Sequence, residues 1–294
     1  MELWLVYASL AAMFAALTTI LAKIGIQNVD SHLATAIRTV VVLVFAWIMV
    51  LIVGSQDGIL YIQSRTWIFL LLSGLATGGS WLCFFRALKL GNVNKVVPID
   101  KSSTILTMIL AFIFLSEPAG WVTLAGMVLM GIGTWLMLEL KKDNGKENTQ
   151  ERKLGKNWLF FAVMAAIFAS LTAIFGRIGV ADIEANLWTA IRTMVVVPLS
   201  WGMVFISGSR KKIKEVTNKS WVFLILSGLA TGASWLFFYH ALQIGYASNV
   251  VPIDKLSIVV TMGFARVFLG ERFSVQSILG LGLLTIGTLL PVFF

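Results

Sequence analysis

The chain has 294 residues, of which 58% are hydrophobic and only 13% are charged, and its net charge is +9 at pH 7. A soluble domain carries about 25% charged residues, so this composition excludes an ordinary soluble protein. Because apolar runs of about 20 residues recur, the length with which an α-helix crosses ~30 Å of hydrocarbon, the sequence predicts an all-α integral membrane protein.

Ten transmembrane helices are predicted, in two groups of five. The first five cover about residues 3–22, 33–53, 67–89, 95–115 and 120–139, and the second five about residues 157–176, 187–207, 220–243, 249–269 and 273–293. Between the groups lies the polar stretch KKDNGKENTQERKLGK. We therefore expect a first five-helix repeat at residues 1–139, a charged linker at 140–156 and a second repeat at 157–294.

The second group repeats the first at a constant offset of 154 positions. WIFLLLSGLATGGSWLCFFRALKLG from Trp67 matches WVFLILSGLATGASWLFFYHALQIG from Trp221, and VVPIDK from Val96 recurs from Val250. Because each unit has an odd number of spans, the second copy is expected to lie inverted in the membrane. Repeats of this kind enclose a central cavity in transporters.

The charge of the loops sets the orientation. Loop 208–220 contains five basic residues, whereas its counterpart 54–66 contains one, and the linker 140–156 is also rich in lysine and arginine. The positive-inside rule places the linker and loop 208–220 in the cytoplasm and both termini outside. We expect a multi-pass protein of a bacterial-type inner (plasma) membrane.

Ionisable side chains inside the spans are the first functional candidates, because their burial in lipid is costly. They are Lys23, Arg38, Asp100 and Lys101 in the first repeat, and Arg177, Arg192, Asp254 and Lys255 in the second. Arg38 and Asp100 lie about five residues into their spans, which is ~7–8 Å below the interface. The first set is expected to form a cluster near the cytoplasmic face, and the second set its mirror image near the outer face.

Two interpretations of these clusters remain open. The Arg38–Asp100 pair and its counterpart Arg192–Asp254 are either static ion pairs that hold helices together or gates that close alternately at the two faces. In the second case Asp100 and Asp254 are also candidates for proton coupling. The excess of basic groups suits a substrate with a carboxylate or a phosphate.

The third and eighth spans share small residues and a tryptophan. Gly74 and Gly78, with their counterparts 154 residues later, have the G-x-x-x-G spacing that lets helices approach closely. Trp81 and Trp235 lie too deep for an interfacial role. Each is expected either to pack within the bundle or to line the cavity beside Ser80 or Ser234 respectively.

The sequence also excludes several chemistries. A single cysteine, Cys83, allows no disulfide within the chain, and the two histidines, His32 and His240, lack the spacing of metal ligands. The chain contains no phosphate-binding loop, H-E-x-x-H or G-x-S-x-G motif. We expect no enzyme, no cofactor and no metal, and the basic loops are explained without nucleic acid.

One pattern of residues occurs twice in the same order: Arg38, Ala87-Leu88, Pro98, Glu117 and Gly126, and again Arg192, Ala241-Leu242, Pro252, Glu271 and Gly280. In this pattern the chain resembles the EamA-type transporters of the drug/metabolite transporter superfamily. The resemblance implies ten helices in two inverted units, a central cavity and secondary transport of small metabolites. The Asp-Lys pair that follows each proline, Asp100-Lys101 and Asp254-Lys255, departs from the general pattern of that family. Glu117 and Glu271 are expected to favour the starts of the fifth and tenth spans.

These observations predict a secondary active transporter that works by alternating access without ATP. Its substrate is a small polar metabolite such as an amino acid, an organic anion or a phosphorylated compound, with possible coupling to protons. Because both repeats are fused, a monomer suffices for function, with the lipid bilayer as its surroundings. The alternatives are a flippase for a polar-headed lipid carrier and a non-transporting membrane scaffold.

Overall fold

The structure is a computed structural model that describes residues 2–25, 29–90, 96, 99–100, 102–137, 157–268 and 274–293. In the first half the α-helices are α1 (Leu3–Gly25), α2 (Ser31–Val53), α3 (Ser64–Leu90), α4 (Ser103–Phe114) and α5 (Trp121–Met137). In the second half they are α6 (Asn157–Gly179), α7 (Ala185–Ser207), α8 (Asn218–Ile244), α9 (Ala247–Lys255), α10 (Ser257–Phe268) and α11 (Val275–Phe293). Short 3₁₀ segments follow α2, α6 and α7, at Gln56–Tyr61, Val180–Asp182 and Ser209–Glu215.

The surface of the bundle is that of a membrane protein. Within the described residues, seven helices are long and apolar enough to cross a membrane: α1, α2, α3, α6, α7, α8 and α11. The shorter α4 and α5 are also apolar. Large apolar side chains such as Leu51, Ile52 and Phe114 are at least 65% exposed. Because a surface of this kind is stable in lipid, the predicted class of helical, multi-pass membrane protein is confirmed.

Equivalent residues begin and end α2 and α7. The carboxylates of Asp30 and Glu184 each accept hydrogen bonds from two first-turn N–H groups, and both helices end at a glycine in the left-handed conformation, Gly54 at φ 75° and Gly208 at φ 73°. Glycine adopts this conformation without the steric cost of a Cβ. Burial alone would raise the pKa of Asp30, but hydrogen bonds from Ser209 and from the first-turn amides together lower it below its ordinary value.

The predicted ninth span, 249–269, is broken rather than continuous. α9 and α10 are separated by a turn at Leu256. Pro252, within α9, has no N–H to donate. Two hydrogen bonds around the turn, from the backbone N–H groups of Leu256 and Val259, reach the third preceding carbonyl instead of the fourth, each at 2.9 Å. The prediction of one helix was wrong here because average hydropathy does not register a local change of backbone pairing.

The predicted fourth span, 95–115, has its break at the equivalent place. α4 begins after a turn at Ser102, which corresponds to Leu256 in the second repeat, and Asp100 lies in a helical stretch just before it. Lys101 lies outside the described residues. Asp254 therefore lies at the end of a half-helix and Asp100 lies just before the turn at Ser102; broken helices of this kind are found at the binding sites of transporters.

Helices of one repeat pack mainly on helices of the other. α1 packs along α8, α3 along α6, α2 along α7 and α5 along α11. Matching hydrogen bonds link the first two pairs: Ser227 donates to the carbonyl of Thr18 at 2.9 Å, and Ser73 donates to the carbonyl of Thr172 at 3.1 Å. Because the two contacts are related by the offset of 154, the bundle has the same internal symmetry as the sequence.

The last helices of the two repeats, α5 and α11, pack antiparallel on glycines. A Cβ on Gly126 would lie 2.5 Å from the carbonyl oxygen of Gly287, and a Cβ on Gly133 would lie 2.6 Å from that of Gly280. Successive contacts thus run towards the C-terminal end of α5 and towards the N-terminal end of α11. Only glycine allows the two backbones to come this close.

The close packing predicted at the glycines of α3 and α8 is confirmed. A Cβ on Gly74 would lie 2.7 Å from Val195 of α7, and one on Gly228 would lie 2.7 Å from Val41 of α2. Gly78 and Gly232 are equally crowded, with α7 and α2 side chains 2.6 Å away. The glycines therefore let α7 approach α3 and let α2 approach α8. This close approach brings Arg192 of α7 and Arg38 of α2 into the bundle.

Candidate functional site

Two adjoining cavities lie between the repeats, with volumes of about 420 and 320 Å³. Six residues from five helices line both of them: Ser80, Trp81, Ser103, Ala169, Trp235 and Lys255. Arg38 and Asp100 line only the larger cavity, and Arg192 and Asp254 line only the smaller one. Together the cavities have room for a small metabolite.

The serines and tryptophans of α3 and α8 have separate tasks. Ser80 donates to the carbonyl of Ala165 in α6 at 3.0 Å, and Ser234 donates to the carbonyl of Ala11 in α1 at 2.9 Å. These bonds fix α3 against α6 and α8 against α1, so the third span of each repeat is held on the first span of the other. The next residues along the chain, Trp81 and Trp235, then form cavity wall, so the structure favours the cavity-lining alternative for both tryptophans.

Each arginine reaches across to the third span of the other repeat. Arg38 donates from Nη2 to the hydroxyl of Thr231 at 2.9 Å. Arg192 makes the equivalent bond from Nη2 to Thr77, and its Nε also donates to Ser73 at 3.0 Å. The partners are thus neutral hydroxyls, where the sequence predicted carboxylates.

Arg192 is also covered by aromatic rings. Its guanidinium carbon lies 5.1 Å from the ring centre of Trp235 and 5.3 Å from that of Tyr239, within the range of cation–π attraction. The residue is 2% exposed, and its Nη1 has no hydrogen-bond partner among the described residues. Arg38 is only partly buried and borders the larger cavity. The two equivalent arginines are therefore in different environments.

Among the described contacts, Asp254 is paired with a lysine and not with the predicted arginine. Asp254 lies 3.4 Å from the ammonium group of its neighbour Lys255, while Arg192 bonds to the hydroxyls of α3. In the larger cavity Asp100 and Arg38 share a wall, but the hydrogen bond of Arg38 goes to Thr231. Sequence reasoning missed the threonines because a hydroxyl within an apolar helix gives no charge signal, although Thr77 and Thr231 lie within the repeated SGLATG segment.

The two charged sets were predicted to form mirror-image clusters at opposite faces of the membrane. In the structure they lie closer together than this prediction requires. Lys255 of the second set lines the larger cavity together with Arg38 and Asp100 of the first. The reason is the break after α9, which ends that helix inside the bundle. Lys101 lies outside the described residues, so its predicted place in the first set stays a prediction.

Glu117 lies in a contact that the sequence did not predict. Its two carboxylate oxygens accept the backbone N–H groups of Ala247 at 2.7 Å and Ser248 at 2.9 Å, at the start of α9. The expectation that Glu117 favours the start of its own following helix was wrong, because the nearest unpaired N–H groups it meets belong to the other repeat. Glu271 lies outside the described residues.

The described residues show no arrangement suited to a metal ion. Among them, no group of three or more His, Cys, Asp or Glu side chains lies close enough together to bind one. The polar groups of the site are instead arginines, a lysine–aspartate pair, hydroxyls and indole rings. Such groups bind a ligand reversibly through charge, hydrogen bonds and ring faces.

Residues 2–139 and residues 156–293 each match the EamA-like transporter family. A protein of Sinorhizobium sp. named "Uncharacterized transporter in cobO 3'region" is 43% identical over 141 residues, which are 48% of this chain and 100% of that protein. The Bacillus subtilis (strain 168) protein named "Uncharacterized transporter YxxF" is 20% identical over 218 residues, or 72% of this chain and 66% of that protein. A solved crystal structure of a protein has a TM-score of 0.77 at 15% identity over 97% of this chain and 94% of its own, a likeness of fold alone.

Proposed function

Because the chain belongs to the EamA-like transporter family, we propose that it is a secondary active transporter that moves a small polar metabolite by alternating access without ATP. The observation that carries the proposal is the pair of adjoining cavities between the repeats, which are lined by charged residues and tryptophans of both. A scaffold protein has no need for buried charges around an internal space.

The proposed topology has ten spans in two inverted repeats. The antiparallel packing of α5 on α11 supports it, since these are equivalent helices that cross at matching glycines. The Sinorhizobium relative adds support, because its whole length aligns with about half of this chain, the length of one repeat. Both termini then lie outside the inner membrane, and the linker 140–156 lies in the cytoplasm.

The alternating step rests on the unequal surroundings of the two arginines. Arg192, at the outer end of the proposed topology, is covered by Trp235 and Tyr239, whereas Arg38 borders the larger cavity. This arrangement corresponds to a state closed at the outer end. In the opposite state Arg38 is covered by aromatic rings, and Arg192, which borders the smaller cavity here, is uncovered.

The proposed substrate carries a carboxylate or a phosphate. Arg38 and Lys255 both line the larger cavity, and the described hydrogen bond of Arg38 goes to a neutral hydroxyl. The side chain of Lys255 is 36% exposed and borders both cavities. A substrate anion can therefore remain in contact with Lys255 while the anion passes from one cavity to the other. Asp254, which pairs with Lys255, is the proposed site of proton coupling.

Counterflow in proteoliposomes tests this function. Vesicles loaded with one unlabelled compound at a time, from a panel of amino acids, organic acids and phosphorylated metabolites, should accumulate the labelled form of at least one anionic member. Lys255→Gln should raise the KM for that compound about tenfold, as expected when a charge-assisted hydrogen bond is lost. Lys219→Gln, on an exposed residue at the start of α8, is the matched control and should leave the KM unchanged.

Two further outcomes decide the details. Under an imposed pH gradient, Asp254→Asn should retain counterflow and lose accumulation driven by the gradient. If no compound of the panel shows counterflow, or if Lys219→Gln and Lys255→Gln behave alike, the assignment of an anionic substrate to this cavity is wrong.

A further inference from the structure

Glu117 joins the two repeats at one end of the bundle. It lies in the turn between α4 and α5 of the first repeat, and its carboxylate binds the N–H groups of Ala247 and Ser248 in the second. The residue is only 7% exposed. Tyr246, which precedes α9, offers no side-chain hydrogen bond to that helix, so Glu117 supplies its N-terminal cap from another part of the chain.

The charge of Glu117 matters for this contact. The first N–H groups of a helix lack partners within the helix and carry partial positive charge, so an ionised carboxylate binds them more strongly than a neutral amide. The backbone around Glu117 is shaped to make the contact, since Ser116 has φ 53°, a left-handed value that residues other than glycine rarely adopt. Such conformations persist where surrounding contacts enforce them.

The helix that Glu117 holds carries part of the candidate site at its other end. α9 has nine residues and is therefore about 14 Å long at ~1.5 Å per residue. Its last two residues, Asp254 and Lys255, line the cavities. Because the pair lies only about two turns beyond the first turn of α9, a contact that fixes this turn is in a position to fix the pair through the helix.

We propose that Glu117 is a positioning residue that latches α9 to the first repeat and so holds the Asp254–Lys255 pair in place while the outer end of the cavity is closed. The inference rests on the proposed transport function. It adds that the contact between Glu117 and the first turn of α9 must break when the outer end of the cavity opens. Glu117 acts through α9 and has no contact with the cavities in the described residues.

Two cysteine reporters on α9 test the latch without any substrate. Cys83, the only cysteine, is first replaced by alanine. Ser248→Cys then reports on the first turn of α9, and Val251→Cys on the part that faces the smaller cavity; both positions are at most 5% exposed. Glu117→Gln should raise the rate at which an impermeant maleimide applied from outside labels both reporters, by about tenfold or more.

Three comparisons make the result specific. Glu117→Asp keeps the charge and should retain slower labelling than Glu117→Gln. Glu271→Gln removes an acid from the equivalent position of the second repeat and should leave labelling from outside at the wild-type rate. Variants are compared only where their thermal unfolding temperatures in detergent agree with that of the parent, so loss of folding is not mistaken for opening.

Unchanged labelling of both reporters in Glu117→Gln overturns the latch. Faster labelling of Ser248→Cys alone also overturns it, because the first turn would then fray without moving the rest of α9. Since labelling needs no substrate, faster labelling of both reporters in a protein that fails every counterflow assay would retain the latch and reject the transport function.

Discussion

Arg38 and Arg192 occupy equivalent positions in the sequence but have different surroundings in the structure. Both donate to a threonine of the opposite repeat, yet only Arg192 is recorded beneath two aromatic rings. One of these rings, Tyr239, is Phe85 in the first repeat. The two identical side chains therefore differ in what packs on them, and one of the residues involved also differs between the two repeats.

Replacing each arginine by lysine should reveal this difference. A lysine cannot bind two hydroxyls in a planar fork or stack on a ring as a guanidinium does. Arg192→Lys should lower the free energy of unfolding by ~2 kcal/mol, since it weakens a desolvated cation–π contact and hydrogen bonds to a charged group. Thermal unfolding in detergent measures the change. Arg38→Lys, which alters one recorded hydrogen bond, should cost less; an equal or smaller loss for Arg192→Lys would contradict the described environment.

At this scale the sequence predicted which charged residues lie at the cavities better than what these residues contact. Asp254 and Lys255 stood out because charges inside apolar spans are costly, and both line the cavities. Their partners could not be predicted, since an ion pair between Arg192 and Asp254 requires a relative rotation of α7 and α9 that a repeat pattern does not specify. For the same reason, Glu117 was predicted to favour the start of α5, whereas it binds the start of α9.

The pair α5 and α11 is held together by shape rather than by charge. Glycines at equivalent positions face each other in reverse order along the two helices, and backbone atoms fill the space where side chains would lie. Without a hydrophobic driving force between helices in lipid, such close van der Waals contact is a main source of their association. The interface is therefore intolerant of even one methyl group.

Adding that methyl group is a direct test of the interface. In Gly133→Ala the new Cβ would lie 2.5 Å from the backbone nitrogen of Leu284, so the helices must move apart, at a cost of ~1–3 kcal/mol for an overpacked site. The unfolding temperature in detergent should fall. Gly282→Ala on α11 is the matched control, because its Cβ would meet nothing within 4 Å and alanine favours helix. Equal unfolding temperatures for the two variants would reject the close packing.

The elements were largely predictable, except where the backbone changes its pairing. Continuous apolar runs predicted the long helices, whose observed bounds extend a few residues beyond the predicted ones, as for α3 at Ser64–Leu90. The turn at Leu256 was not predicted, because Pro252 is also compatible with the first turn of an unbroken helix. Its consequence, a lysine–aspartate pair inside the bundle, could be seen only in the structure.

At the scale of the whole molecule, two copies of one unit form a single bundle. The long described helices pair with helices of the other repeat, and the largest core cluster contains residues of both units. This arrangement explains why the cavities are lined by both repeats and why equivalent hydrogen bonds occur in two places. In the proposed mechanism of alternating access, the two ends of the bundle would exchange roles.

The most direct test of this account is the sidedness of two equivalent loops. With Cys83 replaced by alanine, a cysteine is placed at Asp57 in one protein and at Lys211, 154 positions later, in another. An impermeant maleimide is then applied to intact cells and to inside-out vesicles. Inverted repeats predict that Asp57→Cys is labelled only from outside and Lys211→Cys only from the cytoplasm. Labelling of both positions from the same side would contradict the inverted arrangement and, with it, the proposed route across the membrane.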